Sequence, residues 1–198
     1  MTSVHGPSPS TPSFTNLNIQ ATHPPLVREQ TRKYPTGRST PNLATVPSKD
    51  GKPLMFAFGA EFVEVRVHRL TREIRVPRMT GAFAAGRIVN PRTAHSQYMG
   101  GMIWGMASAL LEATEVDAKR GRYVNDSIGE YLIAVNAGVP RVDVILVPEE
   151  DSKVNPLGVK GIGELGIVGT AAAVANAVHH ATGKRIRDLP IVMDKLLA

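Results

Sequence analysis

The segment Asn155-Pro156-Leu157-Gly158-Val159-Lys160-Gly161-Ile162-Gly163-Glu164-Leu165-Gly166-Ile167-Val168-Gly169-Thr170 holds the residue types best suited to chemistry. Five glycines fall within twelve residues, directly before an apolar helical stretch. Glycine lets a backbone approach a ligand closely and adopt positive φ. Unpaired N–H groups at the following helix start favour an anion. One carboxylate, Glu164, stands among apolar or glycine neighbours, where desolvation would make it a competent proton acceptor. Two familiar phosphate loops are poor matches. Gly161-x-Gly163-x-x-Gly166 has the outline of a dinucleotide fingerprint, but Lys184 and Arg185 stand where a ribose-binding acid would follow. No Gly-Lys-Ser/Thr occurs, so a Walker A loop is excluded.

The elements that must position this loop begin near Met55. In Phe62–His68 valines alternate with larger, mostly polar residues, and Glu73–Val76 resumes the alternation after a turn, which predicts a hairpin. Met79–Val89 is expected to continue in extended or loop form. Asn90-Pro91 supplies a helix N-cap with proline at the first position. From Arg92 to Ala113, His95, Met99, Met102, Ile103, Met106, Ala109 and Leu110 recur at helical spacing. Gly100, Gly101 and Gly105 each weaken that helix by about 1 kcal/mol but permit very close packing. Thr114–Asp117 and Gly121–Val124 suggest a second hairpin, and Val142–Val147 a buried strand. Thr170–Thr182 is Ala/Val-rich and ends at Gly183 with Lys184 and Arg185 beyond, a helix stop signal. The fold class expected is α+β, with strands and helices of mixed order.

Residues 1–54 are of another kind. They contain 23 Pro, Ser or Thr, including nine of the fifteen prolines, and are read as a disordered leader, leaving 55–198 as the folded part. The net charge of +6 also concentrates there: residues 1–54 carry +4, leaving +2 for the remaining 144. That distribution argues against a nucleic-acid-binding face on the folded part. The chain has no cysteine, which excludes thiolate zinc sites and cysteine-held iron–sulfur clusters within it. No stretch approaches the ~20 consecutive apolar residues of a membrane helix, and the first residues lack the pattern of an export signal. A cytoplasmic chain is the default, with co-export on a signal-bearing partner as the alternative.

Lys160-Gly161-Ile162-Gly163-Glu164 resembles the Lys-x-x-Gly-Glu segment that ends the molybdenum-binding subunit of the xanthine dehydrogenase and aldehyde oxidase family. The resemblance extends upstream to Gly86-Arg87-Ile88-Val89-Asn90-Pro91 and to Ser96-Gln97-Tyr98-Met99-Gly100-Gly101-Met102-Ile103-Trp104-Gly105. It covers residues from about 55 to 198 and leaves 1–54 outside. It implies the C-terminal portion of a molybdopterin-binding domain, with Glu164 as the base acting on a molybdenum-bound hydroxide. Gln97, Gly100, Gly101, Lys160, Gly161 and Gly163 are then cofactor contacts, Lys160 meeting either a phosphate or a neighbouring acid, with no metal ligand from the chain itself. Iron–sulfur clusters and FAD belong on partner subunits, and the remainder of the molybdenum subunit is a further partner. The substrate is an aldehyde or an N-heterocycle. The cofactor's nucleotide form is open, the cytosine dinucleotide being frequent among the bacterial-type relatives. The chain departs from the family in length, since such subunits are several times longer, and in Trp104, where many relatives have glutamine. It is therefore read as a terminal fragment or one half of a split subunit. The alternative is a non-catalytic assembly module of the same complex.

Other polar residues have plainer readings. His95 is a core or interface histidine. His179 and His180 complement a helix C-terminus. Glu149-Glu150-Asp151 is expected as a solvated turn. Glu130 and Tyr131 fall where relatives line the substrate funnel.

Overall fold

A computed structural model describes residues 55–197. The expectation of a disordered leader lies outside the described residues. The predicted hairpin forms from β1 (Phe58–Val67) and β2 (Ile74–Ala84), paired antiparallel with a register shift between Glu64 and Arg66. Its turn closes through His68 N–H to Glu73 O at 2.8 Å and Arg72 N–H to His68 O at 2.9 Å. β2 runs on to Ala84, through much of the stretch expected as extended or loop.

β2 is followed by α1 (Pro91–Leu110), the small hairpin β3 (Val116–Asp117) and β4 (Arg122–Tyr123), and β5 (Arg141–Leu146). β5 pairs parallel to β2, with Met79 opposite Val142, Gly81 opposite Val144 and Phe83 opposite Leu146. A parallel pair needs a long crossover, and α1 provides its helix. The sheet order is β1-β2-β5, mixed in direction, so the α+β expectation holds.

α1 starts as the sequence predicts: Asn90 Oδ1 accepts from Arg92 N at 3.1 Å and Thr93 N at 3.3 Å, with Pro91 at the first position. It stops at Leu110, three residues short of the expected Ala113. The Ala109 carbonyl, which Ala113 would bond in a continued helix, instead accepts from Ile191 N at 2.7 Å. α1 lies on the sheet through Tyr98, Met102 and Met106, which pack with Met79 and Phe83 and against Val142, Val144 and Leu146. The Tyr98 and Phe83 rings stack with centroids 4.3 Å apart.

Three helices complete the chain: α2 (Leu165–Val168), α3 (Thr170–Thr182) and α4 (Met193–Leu197). α3 ends at Gly183 with φ +74°, its N–H bonded to His179 O at 2.8 Å, as the stop signal predicts. A second core joins Val65, Ala109, Val174, Val178, Ile191 and Leu196. The short α2 and α4 were not expected; they owe their existence to packing rather than to propensity. Among the described residues no helix is long and apolar enough to cross a membrane.

The glycines of α1 are not equivalent. A Cβ on Gly101 would lie 3.0 Å from the Gly166 carbonyl carbon and the Ile167 nitrogen, and one on Gly105 would lie 2.7 Å from Thr170 Cβ. A Cβ on Gly100 would meet nothing within 4 Å. Adjacent alanine substitutions should therefore have opposite signs in denaturant unfolding of the full chain. Gly101→Ala should lower stability by roughly 1–3 kcal/mol through overpacking, whereas Gly100→Ala should leave it unchanged or raise it by up to about 1 kcal/mol.

Candidate functional site

A cleft of about 370 Å³ opens where α1 meets the segment before α2. Gln97, Gly100, Gly101 and Trp104 line it from the helix, and Gly163 and Glu164 from the loop. Four of the six residues expected at the cofactor, with the candidate base, are thus gathered at one place from two distant parts of the chain. The Gln97 side chain joins the two walls directly, its Nε2 donating to Gly163 O at 2.5 Å.

Glu164 stands at the cap position of α2. Ile162 and Leu165 on either side turn inward to the core of Tyr98 and Met102, which leaves Glu164 directed away from it and exposed. The apolar enclosure expected around this carboxylate is therefore absent among the described residues. Its neighbours Gly161 and Gly163 have no side chains to shield it, and a Cβ at either would meet nothing within 4 Å. Trp104, on the opposite wall, is 55% exposed.

Gly161 adjoins the cleft through Gly163 but is not part of its lining. Lys160 stands apart from it altogether. Its ammonium lies 2.6 Å from Glu149 Oε1 and 3.0 Å from Asp151 Oδ2, with the side chain only 6% exposed. Two of the three acids expected as a solvated turn, Glu149 and Asp151, are thus partly buried partners of this lysine, while Glu150 stays exposed as expected. Burial alone would pull the Lys160 ammonium down, but the hydrogen bonds and charges of Glu149 and Asp151 together hold it above its usual range. The hydrogen bond from Lys160 and the amide of Lys153 hold Asp151 below the ordinary carboxylate range.

This ion cluster fastens the loop to the sheet. Glu149 Oε2 also accepts from Gly86 N at 2.6 Å, Arg87 N donates to Gly158 O at 2.7 Å, and Lys160 N to Ala85 O at 3.1 Å. Gly86 has φ +66°, and a Cβ there would collide with Gly158 O, so only glycine fits. Asn155 closes the loop on itself, donating from Nδ2 to Val159 O at 2.7 Å and accepting from Leu157 N at 3.0 Å.

One participant was missed by sequence reasoning. Glu61 of β1 accepts hydrogen bonds from Thr170 Oγ1 and, at 3.3 Å, from Gly169 N. Burial pushes the Glu61 carboxyl up, opposed by these two hydrogen bonds. The signal was present: the alternation of Val67, Val65 and Val63, carried two residues further back, puts Glu61 on the apolar face of its strand. His95 is partly buried on α1, and His179 and His180 occupy the last turn of α3 as expected. Tyr131 lines a separate, shallow groove with Tyr123 and Ile128, away from the cleft. Among the described residues no three His, Cys, Asp or Glu gather as a metal site.

A helix laid on a mixed sheet and a glycine-rich loop thus frame a one-sided cleft. The sequence pattern of the molybdopterin cofactor-binding domain matches residues 9–140, and the chain belongs to that family. The match takes in residues 9–54, which the resemblance had left outside, and stops before the glycine loop. The aldehyde oxidoreductase molybdenum-binding subunit of Escherichia coli K12 is 49% identical over 140 residues, 71% of this chain and 19% of that protein. The xanthine dehydrogenase molybdenum-binding subunit of Escherichia coli O157:H7 is 34% identical over 140 residues, 71% of this chain and 18% of that protein. The aldehyde oxidoreductase of Desulfovibrio desulfuricans superposes with a TM-score of 0.64 at 28% identity, covering 71% of this chain and 15% of that one. The chain thus spans about a fifth of the length of the curated relatives it matches.

The ion cluster gives a direct prediction. Lys160→Met strands two partly buried carboxylates and should lower stability on the order of 2 kcal/mol in urea unfolding. Asp151, held low, stabilises the fold above the unfolded carboxylate value, and that contribution disappears as pH falls through the folded value. The wild-type advantage over Asp151→Asn should therefore shrink on acidification below about pH 4. An advantage that stays constant across that range would exclude the ion pair as its source.

Proposed function

We propose that this chain forms one wall of the molybdenum–molybdopterin site of an aldehyde- or xanthine-oxidising hydroxylase, with Glu164 as the proton acceptor. The observation that carries this reading is the convergence of Gln97 and Gly100 with Gly163 and Glu164 on one cleft. The residues suit such a cofactor. Would-be Cβ positions at Gly100, Gly161 and Gly163 are open, so a bulky ring system can approach the backbone closely. When bound, the cofactor supplies two-electron redox chemistry and an activated oxygen derived from water.

The chain's own part is positional. Gln97 ties the loop to α1 and keeps Gly163 against the helix, so that Glu164 projects into the cleft. Its carboxylate takes a proton at an Oε atom as the substrate carbon is oxidised. Lys160 holds the loop to the sheet through Glu149 and Asp151 rather than touching the cofactor. Because the chain spans about a fifth of its relatives' length, the remaining walls of the site come from the rest of the molybdenum subunit. Iron–sulfur and FAD subunits carry the electrons away. The higher identity to an aldehyde oxidoreductase subunit favours an aldehyde over an N-heterocycle as substrate.

The second reading is an assembly module that keeps the fold without doing chemistry, and the exposure of Glu164 is the observation in its favour. Glu164→Gln in the assembled, cofactor-loaded complex separates the two. Loss of about 10²-fold or more in kcat for aldehydes, with molybdenum content unchanged, is expected of a proton acceptor. Wild-type turnover by that variant would leave the module reading standing.

A further inference from the structure

Glu61 shares its side of β1 with Val63, Val65 and Val67, all of which pack into the core. A carboxylate in such a row is costly unless its oxygens are bonded. Its partners are the first groups of α3. Gly169, at the cap position, has no side chain to offer the helix start. Glu61, 108 positions earlier in the chain, accepts the N–H of the cap residue Gly169 itself through Oε1, the bond that the acid of a capping box makes, and Thr170 Oγ1 donates to Oε2.

There is little slack around this contact. Thr170 is fully buried, and its Oγ1 also lies 3.1 Å from Gly166 O. A Cβ on Gly105 would lie 2.7 Å from Thr170 Cβ, and one on Gly166 would lie 2.6 Å from Tyr98 O. The turn bearing Glu164 is thus held at both ends. Gln97 grips it at Gly163, and Glu61 grips it at Gly169 and Thr170. Between them α2 makes a single turn, whose N–H of Ile167 bonds Glu164 O at 3.2 Å.

We propose that Glu61 is the positioning residue that fixes the Glu164 turn against α1, acting through Gly169 and Thr170. Its relevance to catalysis rests on the reading of Glu164 as proton acceptor, but the mechanical role does not. A residue that merely stabilised the fold would loosen every element together. A positioning residue loosens one segment, and its effect travels through Thr170.

Amide hydrogen exchange on the full chain separates these cases, with Glu61→Ala, Glu61→Gln, Thr170→Val and the Glu61→Ala/Thr170→Val pair. Glu61→Ala should speed exchange about tenfold in peptides spanning residues 163–171, with the β1–β2 hairpin unchanged. Glu61→Gln keeps an acceptor for Gly169 N–H and should restore most of the protection. The double variant should lose clearly less than the sum of the two single ones, because both remove the Glu61–Thr170 contact. Uniformly faster exchange, a glutamine variant as loose as the alanine one, or additive effects would each overturn the proposal. Should the alanine variant not fold, Glu61→Gln and Thr170→Val still carry the comparison. In the assembled complex Glu61→Ala should lower kcat about tenfold or more at unchanged KM. Unchanged kcat despite a loosened turn would overturn the catalytic link. Full turnover by Glu164→Gln would instead sink the proton-acceptor reading and leave the exchange result intact.

Discussion

The closeness of α1 to the segment leading into α3 is the constraint on which the site depends. Backbone meets backbone where Gly101 faces Gly166 and Ile167, and where Gly166 faces Tyr98. Any side chain at those points would push the two walls of the cleft apart and strain the link from Gln97 to the Gly163 carbonyl. Three glycines in one helix weaken it as an isolated element. The loss is offset by burial of Tyr98, Met102 and Met106 on the sheet and by the stacked Phe83–Tyr98 pair. The helix is thus stable because it is packed, and it is packed closely because it is weak in side chains along one edge.

Polar contacts then fix what close packing alone leaves free to slide. At one end of the glycine loop, Lys160, Glu149 and Asp151 bind it to the end of β2 around Gly86. At the other, Glu61 holds the start of α3. The two anchors differ in kind. The lysine cluster is a partly buried set of opposite charges in which the two acids favour the Lys160 ammonium and Lys160 favours the ionised Asp151. Glu61 is a carboxylate with hydrogen-bond donors, and its burial opposes its own charge. Changes of pH therefore act on the two ends of the loop in different ways.

Much of this was legible from local sequence, and what was not has a common cause. Asn90-Pro91 and Gly183 announce helix ends through contacts made within a few residues, and both appear where expected. The glycine loop and the Gln-x-x-Gly-Gly helix pointed to the same site, and the cleft unites them. The end of α1 was missed because Ile191, far along the chain, takes the Ala109 carbonyl. Glu149 and Asp151 looked solvated because their cation lies across a loop, and for the same reason local sequence left Lys160 open between a phosphate and an acid. Composition set residues 1–54 apart, yet the family pattern begins at residue 9, so proline and serine content was a poor guide to membership in the domain.

The exposure of Glu164 follows from this architecture rather than contradicting a role for it. Ile162 and Leu165 must point inward to seat the loop on the core, and glycines must flank the acid to keep the approach open. Both requirements strip the carboxylate of shielding from its own loop. Shielding therefore has to come from groups facing it across the cleft, where the described residues offer Trp104 and the smaller polar side chains of Thr93, Ser96 and Gln97. The features that would open the proposed site to a large cofactor are the same ones that prevent this segment from enclosing its own acid. In the site we propose, an exposed acid on a turn anchored at both ends is the half that would position a proton acceptor. The half that excludes water must be built from other groups.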